Sequence, residues 1–261
     1  ADIANDDLVM PIKERSRIQY KTMFEFFGLN NHNTETLEEL ASKYRNASVT
    51  PHSTYSVQDR EFKAICSKYR ELLSLHFLES ENEALLYQHK GSLHDWYQRM
   101  GWACDFLEYG SPAMRAGESI PLASNLLLVH NTCATATDVK SIELRLKGCV
   151  TWVLCPESNR YISNLCPPVG MLDEMGVSIA LGTDSLASAR TLSMVDNMRL
   201  LGDVPLEKLL TYATINGAKA LGIDATKGSI AVGKCPGLVI IEGVDFTSMT
   251  LTNESRSYRL I

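Results

Sequence analysis

Six histidines stand in the 261-residue sequence, at positions 32, 52, 76, 89, 94 and 130, and three of them fall where an apolar run gives way to polar residues. His52 closes Ser48-Val49-Thr50-Pro51-His52, His76 lies near the end of the run from Leu72 to Leu78, and His130 closes Asn125 to His130. Asp184 follows a further run, Val177 to Thr183. Imidazole and carboxylate are the usual ligands of zinc or iron, and a catalytic centre keeps one position open for water. Binding lowers the pKa of that water from roughly 15.7 to about 7, so hydroxide exists at neutral pH. A nearby carboxylate, such as Glu79 three residues after His76, then moves protons, and a neutral imidazole orients the nucleophile. Taken singly, each residue has a plainer reading: a histidine beside a strand is usually a hydrogen-bonded loop residue, and Glu79 is an acid favoured at a helix start. Four such residues at one edge are harder to explain that way.

That edge needs elements to build it. From about residue 17 the sequence alternates strand-like runs with amphipathic stretches, the pattern of a parallel sheet wrapped by helices. Six strands are expected: Ile18 to Phe27, Ser48 to His52, Leu72 to Leu78, Asn125 to His130, Cys149 to Cys155 and Val177 to Thr183. Thr36-Leu37-Glu38-Glu39 reads as a capping box opening a helix, and Ser56 as the cap of the helix bearing Phe62, Ile65, Cys66 and Tyr69. Residues 88–124 interrupt the rhythm with a helix-like piece around Trp96 and a loop rich in Gly, Ser and Pro. Helices are expected over Pro205 to Ala213 and Asn216 to Leu221, then period-two strands over Gly228 to Val232 and Leu238 to Ile241. In such folds the strand-to-helix loops converge at the C-terminal strand ends, where His52, His76, His130 and Asp184 lie.

Composition narrows the classes. With 45% hydrophobic and 21% charged residues the chain is of the ordinary globular kind. Its formal charge of -6, from 25 Lys plus Arg against 31 Asp plus Glu, offers no basic field for a phosphate backbone, so nucleic acid is not expected as a partner. No apolar run approaches the roughly 18 residues of a membrane helix, so no membrane partner is expected either. Seven cysteines, an odd count without any Cys-x-x-Cys, fit the reduced thiols of a cytoplasmic protein. Gly228-x4-Gly233-Lys234-Cys235 imitates a phosphate-binding loop, but Cys replaces the magnesium-holding Ser or Thr. No Gly-x-Ser-x-Gly elbow gives Ser185 a nucleophile's setting.

Several spaced motifs together resemble the amidohydrolase superfamily, in its branch of guanine deaminase, adenosine-analogue deaminase and triazine hydrolase. They are Pro51-His52-Ser53-Thr54-Tyr55-Ser56, His76-Phe77-Leu78-Glu79-Ser80-x-x-Glu83, Val129-His130-Asn131, Cys155-Pro156-x-Ser158-Asn159, Leu181-Gly182-Thr183-Asp184-Ser185, Thr214 to Ala218 and Gly228-Ser229-Ile230-x-Val232-Gly233-Lys234. The resemblance implies a metal-dependent (β/α)8 barrel of the TIM type with a small β-sandwich. It implies His76 and Asp184 as ligands of one divalent metal, zinc before iron, with Asp184 also taking the proton from the nucleophilic water. Glu79 would protonate a ring nitrogen and His130 would orient the hydroxide. His52 and Ser185 would contact the substrate, a small heterocycle such as a purine, which loses ammonia.

The family's His-x-His at the first barrel strand is missing from this sequence, as is the N-terminal half of the sandwich. The expected fold is therefore an incomplete α/β barrel over residues 1–222, of about six units with N-terminal strands missing, and a C-terminal sandwich segment over 223–261. Two remaining ligands fall short of the three usual for catalytic zinc, so metal binding and activity are expected to be weak or absent in this chain alone. Two other readings stay open. The same site could serve a chlorohydrolase or another carbon-nitrogen hydrolase, or the barrel could be non-catalytic and act through association, for instance as a homo-oligomer, since missing strands leave unpaired edges. Arg15, Arg17 and the 88–124 insertion are further candidates for substrate contact.

Overall fold

The computed structural model describes residues 1–260. The chain forms two compact units, one of residues 1–127 and 137–150, the other of residues 128–136 and everything from Thr151 onward. The boundary expected at residue 222 falls inside the second unit, after the helix Ile215–Ala220.

Strand β1 (Asp2–Ala4), β2 (Thr22–Phe26) and β3 (Ala47–Pro51) form a parallel sheet in the order β1-β2-β3. β2 runs beside β3 from Thr22 against Ala47 to Phe26 against Pro51. Every residue of β2 is buried, which fits its continuous apolar run, Met23-Phe24-Glu25-Phe26 broken only by one carboxylate. β4 (Leu73–Phe77) follows β3 in the same direction: Thr50 Oγ1 donates to the Ser74 carbonyl at 2.6 Å and accepts from the Ser74 N–H at 2.9 Å. The His76 N–H donates to the His52 carbonyl at 2.9 Å, and Ser53 bridges His76 in parallel register. These contacts place the ends of β2, β3 and β4 side by side.

Helices cover the strands as the apolar spacing requires. In the helix Asp59–Lys68, Phe62, Ile65 and Cys66 are buried on one face. Its N-cap is Gln58 rather than Ser56, because Ser56 is engaged with His52 instead. The helix Glu35–Ser42 begins ahead of the expected capping box, and Thr36 accepts a bond from Asn33 rather than serving as the cap. The 88–124 insertion folds into a helix Gly91–Met100, a 3-10 turn Leu107–Tyr109 and a helix Pro112–Ser119 capped by Ser111, whose Oγ accepts from Met114 N–H at 3.1 Å. Gly101, at φ 68, ends the first of these in a left-handed conformation that suits glycine. Tyr97 and Phe106 from this insertion join Leu29, Leu86 and Tyr87 in a small core of their own.

β5 (Leu126–His130) and β6 (Val150–Leu154) carry the chain from one unit into the other, and β7 (Ile179–Leu181) lies parallel to β6 in the second unit, Trp152 against Ile179 and Leu154 against Leu181. Trp152 is fully buried, worth about 2 kcal/mol or more of apolar transfer. β8 (Val239–Asp245) and β9 (Thr250–Arg259) form an antiparallel hairpin with an irregularity between Glu242 and Val244. Arg199 of the helix Met194–Arg199 donates to the Asn253 carbonyl of this hairpin at 3.1 Å.

The architecture is α/β with parallel strands, and its sheets do not close into a ring, in keeping with an incomplete barrel. Among the described residues Asp2–Ala4 adds a short strand beside β2 to the six expected, and three residues carry too little periodicity to be read. Gly228 to Val232 forms turns and irregular chain rather than the expected strand, with Ile230 and Val232 exposed, while β9 holds the hairpin's second strand.

Candidate active site

In the first unit, three successive strands deliver one side chain each. Glu25 projects from β2, His52 follows β3 and His76 sits one residue from the end of β4. Their ligand atoms all lie within 4.8 Å of one another. His76 Nε2 is 3.8 Å from Glu25 Oε1, and the His52 and His76 rings are 4.6 Å apart between centroids. The Glu79 carboxylate, just past β4, lies within 4.8 Å of a His76 ring nitrogen. In this unit His76 stands beside both His52 and Glu79.

Hydrogen bonds set the His52 ring. Its Nδ1 shares a 2.8 Å bond with Ser56 Oγ, which shares another of 2.7 Å with Ser53 Oγ. Tyr55 stands edge-on to the His52 ring at 5.8 Å, and Phe27 lies 6.4 Å away. Burial, with the Glu83 and Glu79 carboxylates adding to it, pushes the Tyr55 phenol well above its ordinary value, so it remains a neutral donor.

A buried polar network ties the two loops that carry His52 and Glu79. Thr54 Oγ1 donates to Glu83 Oε1 at 2.5 Å. The Thr54 carbonyl accepts from Tyr87 Oη at 2.5 Å and Arg115 Nη1 at 2.7 Å, while Arg115 Nη2 reaches the Val57 carbonyl at 2.8 Å. Arg115 is fully buried, between the Phe62 and Phe106 rings at 4.5 and 4.0 Å. Burial raises the Glu83 acid to about 8, against the pull of Thr54 and the nearby backbone N–H groups of Leu78 and Glu79.

The remaining sequence candidates lie in the second unit. His130 ends β5, is buried, adopts φ 80, and shares a 3.1 Å contact between its Nδ1 and Asn159 Nδ2. Asp184 follows β7 at φ 56 and is exposed; its Oδ2 accepts from Ser158 Oγ and Ser188 Oγ, both at 2.6 Å. Positive φ at two non-glycine residues beside strand ends is a strain that functional sites commonly hold. Ser185 is exposed and accepts from the Ala187 N–H at 3.2 Å, so it shapes the turn after Asp184.

Sequence reasoning passed over Glu25, whose signal was a lone carboxylate within an otherwise apolar buried run. Ser56 reads as a helix cap in sequence and instead bonds His52. Arg15 is not at this cluster; it donates Nε to the Pro11 carbonyl within its own helix. Two imidazoles and a carboxylate are the donors that zinc and iron accept, so this set suits a divalent metal.

Comparison with known proteins agrees with this architecture. A model of the Amidohydrolase family matches residues 28–257. An adenosine deaminase from Helicobacter pylori is 29% identical over 258 residues, covering 89% of this chain and 61% of that protein. A 5-methylthioadenosine/S-adenosylhomocysteine deaminase from Pyrococcus abyssi is 27% identical over 223 residues, 80% of this chain and 47% of that protein. The crystal structure of Helicobacter pylori aminofutalosine deaminase with methylthio-coformycin superposes with a TM-score of 0.75 at 27% identity, covering 90% of this chain and 62% of the other. The chain thus spans about half to three-fifths of the length of these relatives.

Proposed function

The chain belongs to the Amidohydrolase family, and from that premise we propose that it acts in the metal-dependent hydrolytic deamination of a purine-like heterocycle. The observation that carries this reading is the convergence of His52, His76 and Glu79 at adjoining strand ends, in a chain whose relatives include deaminases of adenosine and methylthioadenosine. Within the first unit His76, with Glu25 and His52 beside it, would hold one divalent metal, zinc before iron; Asp184 is the further ligand that the family resemblance implies. The chemistry such a metal would supply is a water acidified towards neutral pH.

The chain's residues supply the rest. His52 and Ser185 contact the heterocycle, and His130, held by Asn159, orients the attacking oxygen. Asp184 receives the proton that the water loses as its oxygen bonds to the amino-bearing ring carbon. Glu79 protonates the adjacent ring nitrogen. Proton return to the amino group then lets the carbon-nitrogen bond break, and ammonia leaves as the ring carbonyl forms. No helix among the described residues is long and apolar enough to cross a membrane. The test is metal analysis together with ammonia release from a panel of purines, nucleosides and triazines, using the complete gene product; no bound metal and no turnover would refute the reading.

A further inference from the structure

Glu79 stands two residues beyond the end of β4, so no strand pairing fixes its direction. The turn that carries it is strained. Leu78, buried and without glycine's freedom, adopts φ 47, in the left-handed region that such side chains disfavour. A conformation of that kind persists only where its surroundings hold it. The Glu83 N–H donates to the Ser80 carbonyl at 3.1 Å and closes the turn. The buried Glu83 carboxyl then lies beside the backbone N–H groups of Leu78 and Glu79, the two that flank the strained α-carbon.

The carboxyl is itself anchored. Its Oε1 accepts from Thr54 Oγ1 at 2.5 Å. Thr54 is buried and held in turn, because its carbonyl accepts from Tyr87 Oη at 2.5 Å and from Arg115 Nη1 at 2.7 Å. Tyr87 ends the helix Glu81–Leu86 that bears Glu83, so this helix is pinned to the loop after β3 at two points. Burying a carboxyl is costly, and an apolar side chain of like volume would fill the same space without that penalty. What the acid adds there is its contacts with Thr54 and with the turn at Leu78.

We propose that Glu83 is the positioning residue for Glu79: its carboxyl, held by Thr54, fixes the strained turn at Leu78 and so sets the direction from which Glu79 delivers its proton. Glu83 touches neither substrate nor metal and acts only through Glu79. The proposal rests on the deaminase reading above, in which Glu79 protonates the ring nitrogen. It also links the loop after β3, which carries His52, to the turn after β4, which carries Glu79, through one buried hydrogen bond.

Steady-state ammonia release by the complete gene product, with rates taken per bound metal, tests it. Glu83→Met fills the buried space but offers Thr54 and the turn no oxygen. Its kcat should fall about 10- to 100-fold while KM changes little, as misplacement of a proton donor requires. Glu83→Gln keeps an oxygen for Thr54 and matches the neutral acid that burial favours, so near neutral pH it should stay within about threefold of the parent. In a Glu79→Gln background, Glu83→Met should lower kcat by no more than about twofold, because the group it positions is already gone. Thr54→Val removes the anchoring hydroxyl, should show the same dependence on Glu79, and serves if Glu83→Met fails to fold. Equal losses with and without Glu79, a change in KM alone, or no loss in Glu83→Met would overturn the positioning role, while ammonia release by the parent leaves the deaminase reading standing. If the parent releases no ammonia from any purine or nucleoside, both fail.

Discussion

Ser56 Oγ shares a 2.8 Å hydrogen bond with His52 Nδ1, and His52 stands with His76 and Glu25 in one group whose donor atoms lie within 4.8 Å of one another. A partner on one imidazole nitrogen fixes the tautomer and the ring's orientation. Ser53 Oγ extends the bond by another 2.7 Å, so two hydroxyls of the loop after β3 brace the ring.

Removing that brace should cost activity more than stability. In Ser56→Ala, kcat/KM of the complete gene product is expected to fall about 10- to 100-fold, the usual range for a lost orienting partner. Nitrogen NMR of the His52 ring should show mixed tautomers in the variant and one in the parent. Unchanged kinetics with an unchanged ring spectrum would show that Ser56 does not orient His52.

The buried Glu83 makes a pH signature. Burial raises its acid from 4.5 to about 8, so between those values the folded chain holds a proton that the unfolded chain releases. The stability associated with the protonated form is complete below pH 4.5, is lost as pH rises towards 8, and changes no further above that. The difference in unfolding free energy between the parent and Glu83→Gln should therefore slope by up to about 1.4 kcal/mol per pH unit across that window. Parallel urea-denaturation profiles from pH 5 to about pH 8 would contradict the raised acid.

Arg115 holds the loop after β3 through the Thr54 and Val57 carbonyls and is sandwiched by Phe62 and Phe106. Arg115→Met keeps much of the volume but leaves both carbonyls without the guanidinium, and is expected to cost about 3 kcal/mol in urea unfolding. Arg115→Lys should recover little, because an ammonium cannot reach both carbonyls and stack between two rings. A loss under about 0.5 kcal/mol in Arg115→Met would show the network to be dispensable.

In the second unit, Ser158 and Ser188 both donate to Asp184 Oδ2. Ser158→Ala should lower turnover about tenfold, with substrate KM little changed, because the bond positions a proton acceptor rather than the substrate. Steady-state kinetics at saturating metal measure this split, and an effect on KM alone would speak against the role of Asp184.

What the sequence disclosed follows from the range of each signal. β3, β4 and β5 were legible because each strand-like run carries a histidine at or near its end, and the alternation with amphipathic stretches marked the parallel α/β class. β1 escaped because Asp2-Ile3-Ala4 is too short to show a period, and its pairing with β2 is a non-local fact. Ser56 looked like a helix cap because spacing alone cannot tell a serine that bonds the helix from one that bonds His52, four residues back. Glu25 hid in plain view, since an acid inside a buried strand acquires meaning only when two other strand ends arrive beside it. The insertion reads in sequence as an elaborated loop and helix, and only the fold sets Trp96 and Trp102 with Phe27 and Tyr55 in one cleft.

Ammonia release tests the central claim most directly. With the zinc-loaded complete gene product, adenosine or an apolar 5′-substituted analogue should yield one ammonia for each ring converted, and chelation should abolish the yield. Glu79→Gln should reduce the rate by about 10²- to 10⁴-fold while metal remains bound, the range for loss of a general acid-base group. Metal bound with no ammonia from any purine or nucleoside, or full activity in Glu79→Gln, would contradict the account.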